Sequence, residues 1–228
     1  MASLSPTLKE NVRKAYDNIA VEYAEWTKPS YPTRVGYLQK LLAYLPPSPV
    51  EKSVLELGCG SGQPCTTILA SNPSLKVTAN DISPVQLALA AQHLPSTNVS
   101  LIEGDMMELS FEDHSFDAVI AMYSIIHLPR EEQVTLLERI YKWLKPGAFF
   151  LANFSAGPEF EGSFDKHWLD GTDGEVFWSS WGEERTCEIL SSIGFELVLR
   201  EVVVDTEEEK GEGKEVPFLW LLGKKADN

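Results

Sequence analysis

The sequence predicts an α/β fold of three layers: a doubly wound, mostly parallel sheet with a C-terminal antiparallel hairpin and a helical cap at the N-terminus. Three observations predict it. Between Ser53 and Phe154, short apolar runs alternate with amphipathic helical patterns, the signature of a parallel sheet covered on both faces. A turn with glycines at alternate positions, Gly58, Gly60 and Gly62, joins the first of these runs to the first helix. Two apolar runs near the C-terminus are separated by the hydrophilic "TEEEKGEGKE", short enough for a hairpin.

The elements follow in order. Helical spacing of Val12, Ala15, Tyr16, Ile19, Ala20 and Tyr23 predicts a helix from Ser5 to Trp26, and a second pattern runs from Thr33 to Leu45. "PPSPV" ends this cap, which spans residues 1–46. Strands are predicted at Ser53 to Leu57, Lys76 to Asn80, Val99 to Glu103, Phe116 to Met122 and Ala148 to Phe154. The helices between them are Pro64 to Ser71, Pro84 to His93 and Arg130 to Leu144. Pro64 and Pro84 mark helix starts, where a missing N–H costs nothing, and Ser83 can cap the second. "KPGA" reads as the turn out of the third. Residues 51–154 thus form a core, followed by an irregular aromatic insertion over 155–182. Residues 183–228 supply a helix, Glu183 to Ile193, which Gly194 closes, and strands Phe195 to Asp205 and Val216 to Gly223. All 228 residues fit a single domain.

Composition narrows the function. A formal net charge of -15 disfavours nucleic acid and anionic membrane surfaces as partners. The stretch "MASLSPTLKENVRKAYD" lacks the apolar centre of a signal peptide, and no apolar run approaches the roughly 20 residues of a membrane span, so a cytoplasmic protein is expected. Three cysteines without a C-x-x-C pair indicate neither a disulfide framework nor a metal site.

Glycines at a strand-to-helix turn let the backbone approach a ligand closely. Here the spacing is G-x-G-x-G, with Gln63 where the dinucleotide fingerprint has its third glycine. Glu56 just before the turn would repel a pyrophosphate and attract an ammonium group. Asp81, ending the second strand, stands where a carboxylate accepts from ribose hydroxyls. Asp105 follows the third strand. Three carboxylates at neighbouring strand ends favour a cationic nucleoside.

The segments "VLELGCGSG", "TANDIS", "EGDMMELSFEDHSFDAVIAMYSIIHL" and "LKPGAFFLANF" together resemble the successive motifs of class I S-adenosylmethionine-dependent methyltransferases with a Rossmann-like sheet, of the small-molecule type and similar to the ubiquinone/menaquinone enzymes. The resemblance implies S-adenosyl-L-methionine as cofactor. It implies that Glu56 serves the methionine ammonium, that the backbone of Gly58, Gly60 and Gly62 adjoins the methionine portion, and that Asp81 holds the ribose. It further implies that Ile82 and Met106 flank the adenine, that Asp105 accepts from its amino group, and that Ala121 offers its carbonyl to the ammonium. Ala148 replaces a glycine that many members carry. Ile82 and Met106 could equally fill core, and Asp81 could cap a helix.

Methyl transfer needs alignment of the acceptor and no obligatory base. Where a base helps, His127 is the candidate, with Tyr123 lining the same strand end; each also has an ordinary structural reading, in helix ordering or packing. The insertion concentrates aromatic residues, among them Phe160, Phe164, Trp168, Phe177, Trp178 and Trp181. Trp168, Phe177, Trp178 and His167 are therefore candidates for the acceptor wall, against the reading of a hydrophobic cluster under a loop. Tyr23 could close over the methionine part, while Tyr16 suits docking of its helix on the core.

The leading expectation is methyl transfer to a small metabolite by in-line displacement. Two alternatives stand: a non-catalytic S-adenosylmethionine-binding regulatory module, and an NAD-dependent oxidoreductase, which Glu56 and the glycine spacing disfavour.

Overall fold

The computed structural model describes residues 6–45, 49–94, 97–163, 168–209 and 212–227. In chain order the elements are α1 (Pro6–Asn18), α2 (Ala20–Trp26), α3 (Tyr31–Leu42), β1 (Lys52–Leu57), α4 (Cys65–Ala70), β2 (Leu75–Asp81), α5 (Pro84–His93), β3 (Val99–Glu103), β4 (Phe116–Ala121), α6 (Arg130–Trp143), β5 (Leu144–Ser155), β6 (Phe160–Ser163), β7 (Phe177–Ser180), α7 (Glu183–Ile193), β8 (Phe195–Glu209) and β9 (Glu212–Lys225).

Seven strands form one sheet in the order β3-β2-β1-β4-β5-β9-β8. β1 to β5 are parallel, while β9 runs antiparallel to both β5 and β8. The order reverses between β1 and β4, and at that switch point the strand ends open a crevice. Alternating side chains send the sheet's apolar residues to two faces. Val54, Val77 and Ile120 pack with Leu38, Leu41 and Leu69 on one side. Leu55, Leu57 and Val119 pack with Leu136, Ile140 and Leu190 on the other. Both faces are buried, so the central strands read as continuous apolar runs.

The predicted fold is the observed one, with four local differences. The run expected as the hairpin loop, Thr206 to Glu215, is itself strand over its described residues, because β8 and β9 keep pairing from Thr206↔Glu215 to Glu209↔Glu212, and a ladder of backbone hydrogen bonds needs no apolar side chains. The single helix expected over Ser5 to Trp26 is broken at Ile19, whose φ of -107° and ψ of 14° leave helical geometry. The apolar period continues across the break because the Tyr23 N–H still reaches the Ile19 carbonyl at 2.7 Å. "KPGA" is absorbed into the start of β5, where Gly147 (φ 75°) donates to the Ala226 carbonyl at 3.1 Å. The insertion carries a small antiparallel pair, β6 with β7, whose four-residue strands are too short to show a period.

Val12, Ala15 and Tyr16 of α1, with Ile19 just after it, pack against Val176 and Phe177 of the insertion, forming a third apolar cluster. This cluster roofs the crevice. Ser83 Oγ accepts from the Gln86 N–H at 3.1 Å, capping α5 as expected, and donates to Asp17 on α1 at 2.6 Å.

Candidate active site

The turn after β1 is fixed by its own backbone. The N–H groups of Gly58 and Cys59 both donate to the Asn80 carbonyl, at 2.8 and 2.9 Å, which folds the loop against the end of β2. Gly58 has φ 70° and lies so close to β4's exit that a β-carbon there would sit 2.3 Å from the Ser124 Cβ. Only glycine fits. Gly62 instead packs against Ala90 and Leu94 of the α5 segment, a helix-packing role.

Asp81 ties this loop to the next. Its carboxylate accepts from the Gly60 N–H at 2.8 Å and from the Ser83 N–H at 2.9 Å. Burial lifts its pKa to about 6 even though those N–H groups favour the charged form. Glu56 lies deeper, only 5% exposed, and accepts from Thr66 Oγ1 at 2.7 Å. Burial raises its pKa to about 7, opposed by Thr66 and by the charge of Arg34 on α3.

Two adjoining cavities meet here. The first, about 90 Å³, is lined by Gly58, Gly60, Asp81, Ile82, Gln86 and Met106, among others. The second, about 470 Å³, opens beneath the insertion and is lined by Trp26, Trp168, Trp178 and Asp205, among others. Tyr16, Tyr23, Thr27, Arg34, Tyr123 and His127 line both, and so stand at the junction.

The junction is hydrogen-bonded. His127 Nδ1 lies 2.8 Å from the Phe177 carbonyl and Nε2 lies 2.9 Å from the Tyr16 hydroxyl. A carbonyl only accepts, so Nδ1 carries the hydrogen. Burial holds the imidazole pKa down to about 4, although the carbonyls of Phe177 and Tyr123 favour protonation. The ring is therefore neutral, and Nε2 accepts from Tyr16. Tyr123, at φ 54°, donates its hydroxyl to Asp205 at 2.6 Å, and burial together with that carboxylate pushes its pKa up. Arg34 donates to Ser30 Oγ at 3.0 Å and stacks its guanidinium 4.4 Å over the Tyr123 ring.

Of the residues singled out in the sequence, Gly58, Gly60, Asp81, Ile82, Met106, Tyr23, Tyr123 and His127 line the first cavity, and Trp168 and Trp178 the second. Glu56, Gly62, Asp105, Ala121 and Phe177 are not among the lining residues. Asp105 is held by Lys9 of α1 at 2.5 Å and by the Met107 N–H at 2.9 Å, and Lys9 also reaches Glu132 at 2.7 Å. Phe177 contributes its carbonyl to His127, as above. His167 lies outside the described residues.

Three lining residues carried no sequence signal. Arg34 sits in a helical run with no motif around it, and Asp205 comes from the distant hairpin. Gln86 is 1% exposed, and neither its amide nitrogen nor its oxygen has a hydrogen-bond partner among the described residues. Such orphaned groups in a cavity wall call for a polar ligand.

The family model for the methyltransferase domain matches residues 54–147, the segment that supplies the glycine turn, Asp81 and His127. Over that segment the chain matches a methyltransferase domain. The chain is 29% identical over 180 residues to a sterol methyltransferase-like protein of Botryococcus braunii, covering 77% of this chain and 44% of that one. It is 35% identical over 101 residues to a botryococcene C-methyltransferase of the same organism, covering 42% and 26%. The chain thus spans less than half the length of these two relatives. Among solved structures, the Burkholderia thailandensis 1,6-didemethyltoxoflavin-N1-methyltransferase with bound 1,6-didemethyltoxoflavin and S-adenosylhomocysteine superposes with a TM-score of 0.67 at 18% identity, over 100% of this chain and 93% of that one. The methyltransferase fold is common to both. Among the described residues, no helix is long and apolar enough to cross a membrane.

The donor set fits the domain's cofactor: a glycine turn, a carboxylate at the second strand end and an orphaned carboxamide face one cavity.

Proposed function

We propose that the protein transfers a methyl group from S-adenosylmethionine to a small-molecule acceptor held in the aromatic cavity. The observation that carries this reading is the first cavity, where the glycine turn, Asp81 and the Gln86 carboxamide, unpartnered among the described residues, meet, and which adjoins the aromatic cavity at Arg34, Tyr123 and His127.

In this reading Glu56 and the Ala121 carbonyl receive the ammonium, Arg34 the carboxylate, and Asp81 the ribose hydroxyls. The Gly58, Gly60 and Gly62 turn passes the methionine portion. Ile82 and Met106 flank the adenine, and Gln86 supplies a donor and an acceptor at the cavity wall. Asp105 reaches the adenine amino group once Lys9 releases it. Tyr23 covers the methionine portion from the cap. Bound S-adenosylmethionine supplies an activated methyl group on sulfonium. The chain's residues then align the acceptor: Trp168 and Trp178 present large ring faces, and Tyr123 and His127 stand at the junction the methyl must cross.

The test is incubation of the protein with methyl-labelled S-adenosylmethionine and a metabolite extract, followed by mass spectrometry. A labelled small molecule that disappears with Asp81→Ala is expected. Absence of any labelled product across broad extracts would sink the transfer.

A further inference from the structure

β8 sends alternate side chains to opposite faces of the sheet. On one face Leu199 and Val203 pack against the apolar cluster that includes α3, and Glu201 between them accepts from Tyr37 and Lys40 of that helix. The next residue on this face is Asp205, past the end of the core and in the wall of the second cavity. Tyr123 donates to one of its carboxylate oxygens at 2.6 Å, and the other oxygen makes no hydrogen bond among the described residues. A phenol hydroxyl orients a carboxylate without cancelling its charge. Among the described residues no lysine or arginine pairs with Asp205. The other charged groups lining the cavity are Glu25 and Arg34. Glu25 is exposed and paired with Lys28 at 2.5 Å. Arg34 takes the methionine carboxylate in the methyl-transfer reading, which leaves Asp205 as the uncompensated charge once the cofactor is in place.

Resting on that reading, we propose that the acceptor molecule carries a protonated amine, and that Asp205 binds it and sets the specificity of the second cavity. An ammonium held by a carboxylate keeps its proton and has no lone pair to take a methyl group. The methylated atom is therefore a different atom of the same molecule. Tyr123 gives the spacing between the two. Its backbone leaves β4 beside Ser124, which closes on the glycine turn at Gly58, and its hydroxyl ends on Asp205. The cationic nitrogen and the methylated atom are thus separated by roughly the length of that side chain.

The environment of Asp205 turns its charge into selectivity. The cavity, about 470 Å³, falls in the range of small-molecule sites. Aromatic rings, Ile126 and Pro29 supply most of its remaining wall, so an ion pair formed there is stronger than one in water. A neutral ligand of the same shape would strip water from the free carboxylate oxygen and return no cation, and the site rejects it for that reason. An anion would be repelled by Asp205 directly.

The test uses the full chain saturated with S-adenosylhomocysteine and titrated at pH 7 with 2-phenylethylamine, which is protonated there, and with its neutral counterpart 2-phenylethanol. The amine is expected to bind at least about tenfold more tightly than the alcohol, a gap that falls to about twofold or less in Asp205→Asn. Asparagine still accepts from Tyr123, so the variant removes the charge and keeps the hydrogen bond. Glu25→Gln should leave the gap within about twofold of its original size, because that carboxylate is already paired. A further reading uses the unaltered protein: in ¹³C spectra of labelled aspartate, the Asp205 carboxylate signal should move with the amine and stay still with the alcohol. Equal affinity for the two probes, no binding of either, a preference that survives Asp205→Asn or vanishes in Glu25→Gln, or an unmoved carboxylate signal overturns the proposal. Failure to bind S-adenosylhomocysteine at the outset overturns the methyl-transfer reading and this one with it, whereas failure at the amine step alone leaves methyl transfer standing.

Discussion

Glu56→Gln should make the ligand-free protein more stable and the cofactor weaker at the same time. The carboxyl is lifted from its ordinary 4.5 to about 7, mainly by burial, so the folded state binds its proton more tightly than the unfolded state does. Stability from this group is full below the unfolded value of 4.5 and is lost as pH rises through about 7. At pH 8 the ionised carboxylate costs the free protein about 3 kcal/mol, as an upper figure. Glutamine keeps the shape and can still accept from Thr66, which donates to Glu56 at 2.7 Å. The variant should therefore melt several degrees higher at pH 8, at roughly 2–4 °C per kcal/mol for a chain of this size, and the gap should close by about pH 4.5. Calorimetric titration of S-adenosylhomocysteine at pH 8 should show the opposite, an affinity loss of about tenfold or more. Thermal scans across pH 4.5 to 8 check the first half. A gap that does not change with pH, or equal stability at pH 8, would refute the reasoning.

Gly58→Ala places a β-carbon 2.3 Å from Ser124 Cβ at a φ of 70°, which should cost about 2–5 kcal/mol in urea unfolding. Arg34→Met should weaken S-adenosylhomocysteine by about tenfold while leaving 5′-methylthioadenosine, which has no carboxylate, within about twofold in the same titration. Lys9 ties α1 to Asp105 and Glu132 over a first cavity of about 90 Å³, narrower than the roughly 300 Å³ at which ligand pockets begin. Lys9→Met should therefore raise the association rate of S-adenosylhomocysteine several-fold in stopped flow.

The sheet was legible because burial on both faces writes itself into local sequence. Val54, Leu55 and Leu57 form a strand whichever face each supplies, and Ser83 followed by Pro84 announces a helix start. The wall of the first cavity was legible in part for the same reason: the glycine turn and Asp81 lie within two loops joined by short connections. The second cavity was not. Arg34, Asp205 and Tyr16 come from α3, β8 and α1, far apart in sequence, and meet His127 only when the cap and the hairpin fold over the sheet edge. No local spacing encodes that meeting. The break at Ile19 was hidden too, since an apolar stripe continues across a bend when the flanking hydrogen bond survives. No basic residue lies near Glu56 in sequence, and the fold brings the charge of Arg34 on α3 within influence of it without an ion pair between the two.

The central claim is that the turn after β1, with Asp81 fastening it through the Gly60 N–H at 2.8 Å, binds S-adenosylmethionine. Isothermal titration of the chain with S-adenosylhomocysteine, and separately with NAD, tests it most directly. The account predicts saturable one-to-one binding of S-adenosylhomocysteine that Asp81→Ala abolishes, and no binding of NAD. Saturable NAD binding without S-adenosylhomocysteine binding would contradict it.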